Sequence, residues 1–233
     1  MPLKEDLQEA VAEILSEQWP RPPDGRFVPE PEDLGLGNYA VNLQATVLYA
    51  DIAGSTSLVD SEPAHFAAEV YKSYMVCAAR IIKNEGGSIT AYDGDRVMGV
   101  FIGKLRNSSA VEAALKTNWA VRHLINPAIK KQYGDKEYQL KHVVGVDTSP
   151  IFACRIGVRN DNDIVWVGRA ANYAAKLSSI KEPDRIFITG EVFEAMNERA
   201  KFGGEPKQLM WTERTWTGMN KMRIYSSGWA RGL

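Results

Sequence analysis

Cysteine is scarce in this sequence: Cys77 and Cys154 are the two among 233 residues, and their spacing suits no metal. A cysteine-held metal site is therefore not expected. Cys77 falls on an apolar helical face and reads as a buried structural thiol. Net charge is nearly absent too, with 28 Lys and Arg against 29 Asp and Glu, a balance of −1. That balance gives no electrostatic reason to expect nucleic acid or an anionic membrane as partner. Any phosphate-rich ligand must have its charge met locally. No apolar run approaches the length of a membrane span. The opening, Met1-Pro2-Leu3-Lys4-Glu5-Asp6, has no signal-peptide core, and the cytoplasm is the expected compartment. Internal repeats and long low-complexity segments are missing as well.

What is present fits one sizeable α/β domain with a short extension. The hydrophobic share of 45% and charged share of 24% are ordinary for a globular protein. Residues 3–17 have helical spacing of Leu7, Val11, Ile14 and Leu15, with charged and polar residues between them. Pro20, Pro22, Pro23, Pro29 and Pro31 then mark an extended linker. The division expected is 1–40 as N-terminal helix and linker, and 41–233 as the folded domain.

Gln44–Asp51 reads as a strand ending in the small-residue turn Gly54-Ser55-Thr56. A helix is expected over 62–84, with Phe66, Val70, Tyr74, Cys77 and Ile81 on one stripe. Asp60 or Ser61 would cap it, and Gly86-Gly87 would stop it. Ser88–Tyr92 and Arg96–Ile102 flank Asp93-Gly94, a hairpin signal. Ser109 and Glu112 have capping-box spacing and predict a helix from there to about Ile125. A second hairpin is expected from 138–147 and 151–158 around Thr148-Ser149-Pro150. A short strand near Ile164–Val167, a helix over 169–179, a strand over 185–189, a helix over 191–199 and a β-rich end complete the chain. The order β-α-β-β-α-β predicts one sheet with helices on one face.

Two acidic residues stand out by position. Asp51 ends the first strand, and Asp95 follows the Asp93-Gly94 turn. If the hairpin pairs beside that strand, the two carboxylates meet at one end of the sheet. Such a pair suits Mg²⁺ bridging phosphate oxygens. The backbone N–H groups of Ile52, Ala53, Gly54, Ser55 and Thr56 can form an anion-binding concavity. A single Asp at a strand end is equally explained as a turn former or cap, and spacing alone leaves both readings open.

The stretch Leu48-Tyr-Ala-Asp-Ile-Ala-Gly-Ser-Thr56 resembles the first metal motif of the class III adenylate and guanylate cyclases. Gly86-Gly-Ser-Ile-Thr-Ala-Tyr-Asp-Gly-Asp-Arg-Val-Met-Gly-Val-Phe101 resembles the second. Val167-Gly-Arg-Ala-Ala-Asn-Tyr-Ala-Ala-Lys-Leu177 resembles the helix carrying the transition-state asparagine and arginine. The three motifs stand in the family order. The resemblance implies an α+β, ferredoxin-like fold with an antiparallel-rich central sheet and helices packed on it. It implies two Mg²⁺ or Mn²⁺ ions per site, with Asp51, Ile52 and Asp95 as the metal set. It also implies a homodimer with active sites at the interface, where the partner supplies Asn172 to orient the ribose. Lys176 stands where the family usually has Arg, a real departure because a lysine cannot make the bidentate contact of a guanidinium. It can still meet the phosphate charge, or be an ordinary solvated lysine.

The base-reading positions depart further. Adenylate cyclases of this type carry Lys and Asp where Ala91 and Val165 stand here. Tyr49 and Arg96 are bulky and polar in the same region, which resembles the pyrimidine cyclases of Pycsar antiphage defence. They can also be read as a core and a solvent-facing residue. Arg is donor-only and uracil offers two carbonyl acceptors, so the expected substrate is UTP and the product 3′,5′-cyclic UMP. A CTP or ATP cyclase, or a silent cyclase-like regulatory domain, are the alternatives. Lys221 and Arg214 are weaker candidates for triphosphate contacts.

Overall fold

The computed structural model describes residues 2–134, 136–158, 161–181 and 183–233. The first helix, α1 (Leu3–Ser16), forms where the spacing predicts it, but none of its residues is buried. Leu7, Val11, Ile14 and Leu15 all face solvent. Its C-terminal end is held by Asn38, whose side-chain amide donates to the carbonyls of Ile14 (2.8 Å) and Glu17 (2.7 Å). The proline-rich stretch is extended apart from one 3-10 turn, and Leu34 within it is already buried in the core.

The chain continues through β1 (Ala40–Ala53), α2 (Ser55–Ser61), α3 (Ala64–Asn84), β2 (Ser88–Asp93), β3 (Arg96–Ile102) and α4 (Arg106–Ala120). A π-helical turn, Val121–Ile125, joins α4 to α5 (Asn126–Gln132). Then come β4 (Lys141–Val158), β5 (Asp161–Val167), α6 (Arg169–Ser178), β6 (Ile186–Thr189), α7 (Gly190–Ala195) and α8 (Glu198–Lys201). The end is β7 (Phe202–Gly203), β8 (Gln208–Leu209), β9 (Thr212–Trp216) and β10 (Met222–Ser227).

Among the described residues one sheet has the order β2-β3-β1-β4-β6-β10-β9, with β5 also paired to β4. β4 and β6 run parallel, and the other pairings in this sheet are antiparallel. The segment β1-α3-β2-β3-α4-β4, with its four strands side by side as β2-β3-β1-β4, is the ferredoxin-like core.

Helices cover both faces of the sheet, not one. Leu48, Ala50 and Ile52 of β1 pack with Phe66, Val70, Tyr74 and Ile82 of α3 and with Val111 and Leu115 of α4. Ala45 and Val47 point the other way, against Ala170, Ala171 and Ala174 of α6. The period-2 alternation of a strand buried on both sides explains why β1 reads as a nearly continuous apolar run. Close approach of α6 requires Gly145 on β4, since a Cβ there would lie 2.1 Å from the Ala174 carbonyl oxygen.

Several local expectations fail for identifiable reasons. Thr148-Ser149-Pro150 is no turn; it lies within the single long strand β4, in continuous register with Ala45, Thr46 and Gln44 of β1. β4's second edge is covered by β6 at Val144–Val146 and by β5 from Phe152 onward, so Pro150 falls where that edge is open. Asp60 and Ser61 belong to the end of α2, and α3 starts at Ala64 after Pro63. Ser109 and Glu112 do not cap α4, which begins at Arg106. Helix α4 is buried all round, and its polar side chains face internal partners. Glu112 pairs with Arg231 of the C-terminal segment, and Ser108 accepts from the Asn197 N–H at 2.9 Å. The helix expected over 191–199 is broken at Met196-Asn197, where the Asn197 side chain caps α8.

A buried polar chain crosses the α3–α4 side. The Asn118 amide donates to the carbonyls of Gly228 (3.2 Å) and Trp229 (2.7 Å). Its oxygen lies 3.1 Å from Nε2 of His142, and Nδ1 of His142 lies 3.3 Å from the Tyr74 hydroxyl. Because both Asn118 N–H groups are committed, Nε2 must be the donor and Tyr74 must donate to Nδ1. No helix among the described residues is long and apolar enough to cross a membrane.

Candidate active site

The site forms where β1 and the β2–β3 hairpin end together. Asp51 pairs across the ladder with Arg96 on β3 and with Val143 on β4, while Asp93 of β2 pairs with Arg96. Antiparallel neighbours point to the same face, so Asp93, Arg96, Asp51 and Val143 form one row. Two residues inward, about 7 Å along the strands, Ala91, Met98, Tyr49 and Gly145 form a second row.

Asp51 and Asp95 converge in a cleft of about 620 Å³. Burial, and then the neighbouring Asp95 carboxylate, push the Asp51 carboxyl up to about 7. A half-buried carboxylate pair with so little compensation favours a cation between them. The donor set therefore fits a divalent metal, though no group of three or more His, Cys, Asp or Glu gathers anywhere among the described residues. Any further ligands must come from backbone, substrate or water.

The cleft also takes in Ile52, Ala53, Gly54 and Ser55. The expected anion cradle is only partly there. The Ile52 N–H donates to the Asp95 carbonyl at 3.2 Å and cannot bind a phosphate. Its side chain is buried, so its carbonyl oxygen is what Ile52 can offer a cation. Gly54 turns the chain in the left-handed region, φ 77°, where a side chain would be strained. Ser55 opens α2, and Thr56 beside it is exposed and outside the cleft. Tyr71 of α3 reaches this corner, and its hydroxyl is pushed up by burial and then by Asp95.

Arg96 lines the cleft but is already engaged. Its Nη2 and Nε donate to Asp93 Oδ2 at 2.5 and 3.1 Å. The guanidinium sits over the Tyr49 ring, 5.5 Å from its centroid. Burial pushes the Tyr49 hydroxyl up, partly offset by Arg96.

Asn172 and Lys176 are exposed on α6 and are not part of this cleft. Lys176 Nζ is 3.7 Å from Met219 Sδ. Of the candidates near the C-terminus, Arg214 is held by Asp184 at 2.8 Å and Ser226 at 2.7 Å, and Lys221 lies in the β9–β10 turn. Neither lines the cleft. Besides Arg96, the cations that do are Lys181 and Arg185, from the segment between α6 and β6. Sequence reasoning missed them because β6 reaches the site through its parallel pairing with β4. The basic residues flanking a short α–β connection were the available signal.

Residues 40–225 match the family described as the adenylate and guanylate cyclase catalytic domain. A protein of Xanthomonas perforans named uridylate cyclase is 44% identical over 230 residues, covering 98% of each chain. Another of that name, from Burkholderia cepacia, is 46% identical over 232 residues, again covering 98% of both. The crystal structure of the guanylyl cyclase Cya2 is similar in fold, with a TM-score of 0.68 at 21% identity, over 82% of this chain and 95% of that one. By its paired β1 and hairpin carboxylates, its ferredoxin-like core and its match over residues 40–225, the chain belongs to the class III adenylate and guanylate cyclase catalytic domains.

Proposed function

We propose that this protein converts UTP to 3′,5′-cyclic UMP and pyrophosphate. The observation that carries the chemistry is the convergence of Asp51 and Asp95 in a cleft that also holds Lys181 and Arg185. The choice of UTP is supported by full-length likeness to proteins named uridylate cyclase.

Asp51, Asp95 and the Ile52 carbonyl would hold two Mg²⁺ or Mn²⁺ ions. Bound there, the ions supply charge to the triphosphate and acidity to the ribose 3′-hydroxyl. Lys181 and Arg185 meet the triphosphate from the same chain. Asn172 and Lys176 come from a second copy in a homodimer, a reading supported by their exposure outside the cleft. Asn172 orients the ribose so that its 3′-oxygen lies in line with the α-phosphorus, an intramolecular attack in which alignment contributes much of the rate. Lys176 offsets the charge on the reacting phosphate. Tyr49 and Arg96 narrow the base pocket, and Arg96 donates to uracil carbonyls.

We read the product as a second messenger made in the cytoplasm for antiphage defence, the role of the Pycsar cyclases that the combination of Tyr49, Ala91, Arg96 and Val165 resembles. Residues 1–40 are an N-terminal helix and proline-rich linker, the linker packing Leu34 into the core of the catalytic domain, 41–233.

One observation favours CTP instead. Asp93 stands beside Arg96 and can accept from the cytosine amino group. Incubating the protein with each of four nucleoside triphosphates and Mg²⁺ or Mn²⁺, with chromatographic identification of the product, decides the matter. UTP should be turned over fastest; a preference for CTP supports the Asp93 reading, and ATP as the best substrate overturns both.

A further inference from the structure

Helix α6 starts over the open edge of β4. The strand from Asp147 to Ile151 is paired with β1 but lies between the stretches covered by β6 and β5. Arg169, the first residue of α6, occupies that gap. Its Nε donates to Asp147 Oδ2 at 3.1 Å, and its Nη2 donates to Asp147 Oδ1 at 3.3 Å and to the Thr148 carbonyl at 2.7 Å. Its Nη1 donates to Glu191 Oε1 at 2.5 Å, on α7. The next residue, Ala170, donates its N–H to the Ser149 hydroxyl at 2.9 Å. Three successive β4 residues thus hold the first turn of α6.

This is no ordinary surface ion pair. The Asp147 side chain is 0% exposed, and its other partner is the Thr189 hydroxyl at 2.6 Å. A buried carboxylate left without its cation is strongly unfavourable, so the guanidinium is pinned. The fork is what makes the join possible: one planar group reaches a β4 carboxylate, a β4 carbonyl and an α7 carboxylate together. Farther along, the close contact of Gly145 with Ala174 prevents the helix from settling deeper. The two contacts fix both the depth and the direction of α6.

Asn172 follows Arg169 by three residues and Lys176 by seven, one and two turns along the same helix side. Both are exposed, and neither lines the cleft of its own chain. We infer that Arg169 is a positioning residue that aims Asn172 and Lys176 into the active site of a second copy. The inference rests on the two-chain site proposed above. Arg169 touches neither substrate nor metal. Its loss would therefore harm the partner's site and leave its own chain's carboxylates in place.

That asymmetry is testable with mixed dimers of the full-length chain. Alone, Arg169→Met should lower kcat by roughly 10- to 100-fold, with KM for UTP little changed, because a misaimed group costs rate. Arg169→Lys should recover only part of it. Mixed with Asp51→Ala, Arg169→Met should regain activity, since one site then combines its carboxylates with Asn172 and Lys176 from a chain with intact Arg169. Mixed with Asn172→Ala, it should not, since each site carries one fault. If Arg169→Met does not fold, Glu191→Ala loosens the clamp from its exposed side and should give the same asymmetry more weakly. The control is Asp51→Ala mixed with Asn172→Ala, with subunit exchange verified by mass. A control that fails to regain activity overturns the two-chain reading and this inference with it. A control that succeeds, with the two Arg169→Met mixtures equal, overturns the role of Arg169 alone.

Discussion

Arg96 stands directly across the β1–β3 ladder from Asp51, yet its guanidinium is turned to Asp93, 2.5 Å away, above the ring of Tyr49. The residue proposed to read the base is thus held by a neighbour in the metal row. Its donors are presented in one orientation, so if Arg96 reads the base, Asp93 should influence the choice as well.

Arg96→Ala should flatten the preference among the four nucleotides, by about 1–3 kcal/mol for a lost bond to the base. Asp93→Ala should also change the ranking, because it frees the guanidinium. Competition assays with nucleotide pairs at saturating metal measure both. An unchanged ranking in Arg96→Ala removes that residue from the pocket.

The carboxylate pair makes a sharper prediction. Asp51→Ala or Asp95→Ala should abolish cyclisation while the thermal unfolding midpoint stays near that of the parent or rises. Burial and mutual repulsion already disfavour ionised Asp51, so its removal relieves the fold. Near-parental product formation by either variant at saturating Mn²⁺ would sink the metal assignment.

His142 sets a pH limit on stability. Burial holds it neutral, lowering its pKa from about 6.5 to about 3. The unfolded chain takes up a proton below pH 6.5 that the folded chain refuses until near pH 3. Stability is therefore full above pH 6.5 and falls as the pH drops through that window. The slope approaches about 1.4 kcal/mol per pH unit for one proton. Urea denaturation at several pH values should show this loss, and His142→Gln should make it shallower. Equal slopes in parent and variant would assign the acid sensitivity to other groups.

Gly145 offers a test of the α6–β4 contact. A methyl group there would overlap the Ala174 carbonyl, a backbone atom that cannot swing aside. Gly145→Ala should destabilise the protein by at least about 1–3 kcal/mol, the usual range for overpacking. Chemical denaturation measures this directly, and a neutral variant would mean that α6 is free to lift from the sheet.

The carboxylate centre was legible in the sequence because its signals are local. A strand end at Asp51 and an Asp93-Gly94 turn before Asp95 need only the pairing of adjacent strands. Lys181 and Arg185 were not legible, since they arrive through a parallel pairing between distant segments. Pro150 misled because proline usually breaks a strand, and only the staggered cover of β6 and β5 shows why β4 continues. Glu112 misled in the same way: on an all-round buried helix its partner is Arg231, at the far end of the chain. Ile52 lines the cleft, but its N–H is spent on the Asp95 carbonyl and not on an anion.

The polar chain from Asn118 through His142 to Tyr74 has a direction, and that direction constrains how the sequence can drift. Each member is told which of its atoms must donate by the member before it. The first instruction comes from the main-chain carbonyls of Gly228 and Trp229, which any side chain at those positions would still supply. These bonds ask nothing of the side chains at 228 and 229, although Trp229 packs against the core for its own part, while they constrain all three members of the interior trio. A replacement at His142 keeps both neighbours paired only if it brings a donor for Asn118 and an acceptor for Tyr74, so side chains without both should be accepted only together with changes at those partners.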